Sequence, residues 1–266
     1  MKKILIFATF VIAFLLRALS LGFLPSSLPA AILGTLTIIA FYFFLRKNEP
    51  KGAESLALVA AFLLAINPWH ILTSRYSWQL NLLLLGIIVV LSFFFHFDWQ
   101  RKIKKTVVLV FFSQVFFFPL KIILDKDYLL ERYFSHFSAG FLFFNGNWSL
   151  VNRVFSYQGV MFFLDVVFLI LGLSALIRKE RSKLENLMLL WLLLAPLPSL
   201  LLPGLPSLIS YNFVIPLVFV AAKGVQELID ILKKVVCPVR VLGYLLLGGG
   251  YAFCFLRFLD LAFHRL

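Results

Sequence analysis

Long apolar stretches alternate along the chain with short breaks that are basic, polar or rich in Pro and Gly. Divided at those breaks, the sequence gives about nine apolar stretches, near 3–24, 28–46, 54–68, 80–97, 106–124, 159–177, 187–203, 213–230 and 241–259. Several approach or exceed the roughly 18–20 apolar residues that cross a bilayer core. Backbone exposed to lipid must satisfy its own hydrogen bonds, so each stretch predicts a helix. The third is short and reaches Pro68, which is expected to end the helix. Trp69 and its neighbours would then complete the span at the interface, or the span would pack inside the bundle.

Between the fifth and sixth stretches lies 125–158, the longest non-spanning segment. Leu129, Leu130, Tyr133, Phe134, Phe137 and Phe141 recur there at helical spacing, with Arg132 and His136 on a more polar side. That pattern predicts a helix lying in the outer interface. Asn145-Gly146-Asn147 reads as a turn. Pro196 and Pro198, in WLLLAPLPS (191–199), predict a break in the seventh span.

Composition turns this pattern into a fold class. The 266 residues are 62% hydrophobic and 14% charged, with a mean hydropathy of +0.99. A soluble domain of that size could not hide so much apolar surface. The expectation is an all-α, polytopic transmembrane helical bundle, a single domain over 1–266 with an outer-face segment at 125–158. Met1-Lys2-Lys3 could open a cleaved signal peptide. The apolar run continues past Arg17 to Leu24, however, longer than the roughly 7–15 residues of a cleavable segment, and a retained first span fits better. Cys237 and Cys254 have no metal or redox spacing.

The net charge of +13 becomes intelligible once position is considered. With the N-terminus in the cytoplasm and the C-terminus outside, the inner segments 2–3, 46–51, 101–105, 178–183 and 233–240 hold sixteen of the 25 Lys and Arg residues. Seven lie at or near the outer ends. This is a positive-inside bias, and it removes the need for a nucleic-acid partner.

No Gly-rich phosphate loop, Ser/His/Asp spacing or HExxH motif is present. Candidate chemistry therefore rests on polar groups in or near the membrane, where burial is expensive. In INPWHILTSRYSWQLNL (66–82), His70 and Arg75 flank an expected helix start near Thr73 or Ser74. Facing one cavity, they would hold an anionic lipid phosphate, Arg75 with its bidentate fork. Alternatively, Trp69 and His70 anchor the interface while Arg75 snorkels to the headgroups. Arg132 and His136, four apart, suit phosphate binding or acid/base work by His136, or an ordinary amphipathic interface helix. Asp165 sits in the apolar sixth span and calls for a cation such as Arg153 or Arg75. Arg17 lies ~10 Å below the outer end of its span, at ~1.5 Å per residue, and is expected to snorkel. Asn147-Trp148-Ser149 matches an N-glycosylation sequon.

INPWHILTSR with the following Asn81-Leu82 resembles a signature of the C-superfamily integral-membrane glycosyltransferases. That group includes the dolichyl-phosphate-mannose protein mannosyltransferases and the aminoarabinose transferase of lipid A. RYFSHFSAGFLFFNG (132–146), WLLLAPLPS (191–199) and ALSLGFLPSSL (18–28) are similar to further stretches of the bacterial branch, in the same order. The resemblance implies a helical bundle with a lipid-accessible cavity, in the plasma membrane of a bacterium. It also implies transfer of a sugar from a polyprenyl-phosphate donor to an acceptor at the outer face. Trp69, His70, Arg75 and Arg132 would bind the donor phosphate, and a carboxylate would act as base or hold a divalent metal. His136 matches the loop motif as a second catalytic candidate.

The chain departs from the family pattern as well. No acid lies between Ile4 and Phe44, where the family's first outer loop carries an acidic pair. Asp165 is the substitute base, since transfer to a hydroxyl or amide needs one, or a polarising metal. Three functions are weighed on this basis: an abbreviated, active glycosyltransferase; a catalytically degenerate relative that binds lipid phosphate or assists membrane assembly; and a small transporter or flippase. The last should show repeat halves, and none are evident.

Overall fold

The structure, a computed structural model, describes residues 2–18, 27–49, 53–96, 126–145, 158–178, 180–201 and 210–263. Among the described residues the chain is helical or in turns, with no strand. The helices are α1 (Lys2–Ala18), α2 (Leu28–Asn48), α3 (Ala53–Ile66), α4 (Pro68–Tyr76), α5 (Trp78–His96), α6 (Lys126–Ser135), α7 (Asp165–Arg178), α8 (Lys183–Leu194), α9 (Pro198–Leu201), α10 (Val214–Lys233) and α11 (Cys237–Phe263). A π-helical turn spans Gly140–Asn145 and a 3₁₀ turn spans Tyr211–Phe213.

Among the described residues, three helical stretches are long and apolar enough to cross a membrane: Leu28–Asn48, Lys183–Leu200 and Cys237–Leu261. A fourth arises if α3 and α4, bent by 58° at their junction, count as one broken span. The coarse expectation of an all-helical chain with helices able to span a membrane therefore holds, with fewer full-length spans than nine among the described residues. Several apolar stretches yield helices too short for the span test: α1 has 17 residues and α7 has 14. Helix α10 has 20 residues but carries Lys223, Glu227 and Asp230. The stretch 106–124 lies outside the described residues, as do Arg153 and Asn147.

The amphipathic expectation for 129–141 is met in register but inverted in direction. α6 forms, yet Leu130 and Phe134 are 65% and 63% exposed, whereas Arg132 and His136 are buried. Glu131 and Ser135 are exposed beside them, and Phe141 is buried with the two basic residues. The break at Pro196 and Pro198 is present: α8 ends at Leu194, and a turn over 195–197 leads into α9.

The centre of the bundle is α10, whose residues Val214–Ala222 and Gly224 are buried. It packs most extensively on α7 and also on α3 and α8. Glycine makes the α7–α10 contact possible. A Cβ on Gly172 would overlap the Val220 carbonyl, and one on Gly224 would overlap the Phe168 carbonyl. Small residues allow such backbone-to-backbone approach between membrane helices. Neither carbonyl can move aside without shifting a helix, so Gly172→Leu should cost at least the roughly 1–3 kcal/mol of an overpacked core. A fall in the thermal unfolding midpoint of the detergent-solubilised protein checks this; an unchanged midpoint would refute the contact.

At one end of α2, the Ser27 N–H donates to the Arg75 carbonyl at 3.3 Å. The other end, ~30 Å away at ~1.5 Å per residue, is closed by charges. Lys223 Nζ lies 2.7 Å from Glu49 Oε1 and 2.7 Å from Glu185 Oε1. Glu185 also forms a capping box with Ser182 at the start of α8. One lysine thus ties together α2, α8 and α10.

Candidate functional site

The Pro-Trp-His stretch is organised by its asparagine. Asn67 Oδ1 accepts the His70 backbone N–H at 2.9 Å and caps α4, while Pro68 occupies the first turn, where its missing N–H costs nothing. The third helix ends at Ile66, just before Pro68 as expected, but Pro68 also begins the next helix, and no helix starts near Thr73 or Ser74. His70, Ser74 and Arg75 all ride on one nine-residue helix. Asn67 Nδ2 reaches across to donate to the Val160 carbonyl at 3.1 Å. α4 sits close to α2 because Gly34 has no side chain: a Cβ there would overlap the Ser74 hydroxyl.

Around α4 a buried polar network forms. Asn81 Nδ2 donates to the Ser77 carbonyl at 2.7 Å, and Asn81 Oδ1 accepts from the hydroxyls of Ser74 and Tyr211, each at 3.2 Å. Arg75 is buried and donates from Nη1 to the Leu16 carbonyl at 3.2 Å. Trp69, His70 and Arg75 are enclosed by protein, so the interface-anchor and snorkelling alternatives do not describe them.

Arg17 is the residue that sequence reasoning misplaced. It does not snorkel; its side chain is fully buried. Nη1 donates to the carbonyls of Ala13 (2.8 Å) and Ala65 (3.1 Å), and Nη2 donates to the Leu64 carbonyl (3.4 Å) and to His70 Nδ1 (2.8 Å). Leu64 and Ala65 lie in the last turn of α3, whose unpaired carbonyls are the negative end of the helix. The signal was its depth, since an arginine about 10 Å inside a span is costly unless something inside the protein needs it.

The second motif meets the first through aromatic rings. Trp69 stands edge-on to Phe141 and Tyr211, with centroids 6.0 and 5.9 Å away. His136 lies 5.1 Å from Phe141 and 6.5 Å from Phe213, and His70 lies 6.0 Å from Tyr211. His136 Nδ1 donates to the Arg132 carbonyl at 2.8 Å, which leaves Nε2 to accept from the Ser210 hydroxyl at 2.9 Å. Ser199 Oγ is also near Nε2, at 3.2 Å, and donates to the Pro196 carbonyl at 2.7 Å. His136 thus pins the Pro-broken turn after α8 to the segment entering α10. Arg132 is buried one helical turn before it.

Asp165 is a third, separate group. It opens α7, is buried, accepts the Phe162 N–H on Oδ2 at 2.9 Å and the Tyr251 hydroxyl on Oδ1. Its partners are thus a helix-start amide and a phenol of α11, where a cation such as Arg75 was expected. Tyr251→Phe would remove a donor from a buried carboxylate and should cost about 1–3 kcal/mol. Chemical denaturation of the two proteins in parallel measures this, and an unaltered midpoint would dismiss the bond. Among the described residues, no three His, Cys, Asp or Glu side chains form a metal-holding group.

No protein-family model, curated protein or solved structure matches the chain.

Proposed function

We propose that the chain is a multi-pass membrane protein, N-terminus cytoplasmic and C-terminus outside, that binds a polyprenyl-phosphate lipid in the manner of the C-superfamily glycosyltransferases. A bacterial plasma membrane and a nine-span topology belong to the same proposal. The observation that carries it is the gathering of basic side chains within an apolar bundle. His70 and His136 pack on one aromatic cluster of Trp69, Phe141, Tyr211 and Phe213, and Arg75 and Arg132 are buried on the same two helices as these histidines or one turn before them. Arginine forks and imidazoles are the side chains that recognise a lipid phosphate, and an isoprenoid chain suits an aromatic wall.

In the transferase form of the proposal, Asp165 takes the proton of an acceptor hydroxyl as its oxygen bonds to the sugar's anomeric carbon. Polyprenyl phosphate then leaves with the bonding electrons, and His136 assists as acid or base. The degenerate, lipid-binding form is favoured by one specific feature. Both Asp165 oxygens and both His136 nitrogens are already engaged within the protein.

The test uses purified protein in lipid nanodiscs, titrated with a short-chain polyprenyl phosphate and with the uncharged polyprenol. Tighter binding of the phosphate, weakened at least tenfold (about 1.4 kcal/mol) in Arg75→Gln, is the expected result. Equal binding of both lipids would reject the phosphate site. Turnover of a polyprenyl-phosphate sugar that disappears in Asp165→Asn would select the transferase form.

A further inference from the structure

Arg17 carries an observation that the lipid-phosphate proposal does not use. A guanidinium has five N–H donors and no acceptor. Four of Arg17's are committed, to the carbonyls of Ala13, Leu64 and Ala65 and to His70 Nδ1. The fifth, on Nε, has no partner among the described residues. Its partners are carbonyls and an imidazole, so among the described residues this fully buried cation has no carboxylate to balance it.

The Arg17 contact also settles the state of His70. Because the guanidinium can only donate, Nδ1 must accept, and the ring proton resides on Nε2. His70 Nε2 is buried and has no acceptor among the described residues. One helical turn on, the Thr73 hydroxyl is likewise buried without a partner. Buried polar groups are nearly always hydrogen-bonded, and an orphan calls for a missing partner. Two orphans of donor character, His70 Nε2–H and the Thr73 hydroxyl, thus lie one turn apart on the same helix. The partner that satisfies such a set is an anionic oxygen.

We infer that Arg17 is the positioning residue of this site, holding His70 as its neutral Nε2–H tautomer so that this N–H, on the ring edge opposite Arg17, with the Thr73 hydroxyl one turn on, receives an anionic phosphate oxygen. The ligand half of this inference rests on the lipid-phosphate proposal; the tautomer half stands on the Arg17–His70 contact, beside which the Ser74 hydroxyl lies 2.9 Å from the same Nδ1. Arg17 acts through His70 and through the end of α3, so its removal both frees the ring to change tautomer and unties the α3–α4 break.

The experiment is nitrogen NMR of the full chain in nanodiscs with 15N-labelled histidine. The four histidines are few enough to separate, and His70 is assigned by difference from His70→Gln. The expected spectrum shows the His70 proton on Nε2, with a shift toward Nδ1–H or a mixture in Arg17→Gln. Dodecyl phosphate should then move the Nε2–H resonance, whereas dodecanol should not. An equal response to inorganic phosphate would assign the site to a free anion and overturn the lipid headgroup. Nδ1–H in the wild-type protein overturns the assignment to Arg17 even if polyprenyl phosphate binds, and it needs no variant to fold. No response to either phosphate overturns the ligand half. An Nε2–H tautomer lost in Arg17→Gln, with polyprenyl phosphate failing to bind, would support the positioning role and sink the lipid site.

Discussion

Replacing Lys223 by methionine is expected to destabilise the protein by about 3–5 kcal/mol, the cost of leaving buried charge uncompensated. The lysine side chain is 14% exposed, and the two carboxylates it joins, Glu49 and Glu185, are 8% and 14% exposed. Methionine fills similar space, so the loss measures charge rather than volume. Adding Glu49→Gln to Lys223→Met should recover part of it, because only one uncompensated carboxylate then remains. Equilibrium unfolding of the detergent-solubilised variants provides the comparison. A loss under about 1 kcal/mol is the behaviour of a solvated surface pair and would contradict the burial of this cluster.

The second large effect concerns Trp69. Trp69→Ala should cost about 3–5 kcal/mol, the usual penalty for emptying a buried aromatic site. The indole is fully enclosed and lies against both Phe141 and Tyr211, so the change opens a gap between the α4 segment and the loop that carries His136. It should also weaken polyprenyl-phosphate binding, since the two groups of basic side chains lose their common support. Trp69→Phe should keep much of the stability. A nearly silent Trp69→Ala, as an interface anchor would give, would contradict the packing.

The sequence made the helices legible, and left their relations to one another obscure. Apolar length and Pro/Gly punctuation located α2, α8 and α11 and the Pro196 break, because each depends on local chemistry alone. The α3–α4 junction was misread for a definable reason. Proline terminates a helix it interrupts but starts one when a capping asparagine precedes it, and Asn67-Pro68 is that combination. α6 shows a second limit. Periodicity fixes which residues share a face, while the surroundings decide whether that face points to lipid or protein. Arg17 shows a third, since all its partners but Ala13 lie 47 to 53 residues away in sequence. The motif residues Trp69, His70 and His136 do come together, through Phe141, which lies within the 132–146 motif, and through Tyr211, which lies outside the four motifs.

The central claim is that a lipid phosphate sits among His70, Arg75 and Arg132. The most direct measurement is photo-crosslinking with a short polyprenyl phosphate bearing its reactive group next to the phosphate, followed by peptide mapping. The expected adducts fall within 67–81, 132–145 and 210–213, and Arg75→Gln diminishes them. Adducts confined to the exposed face of α11 or to the Lys223 end of the bundle, unaltered by Arg75→Gln, would contradict it.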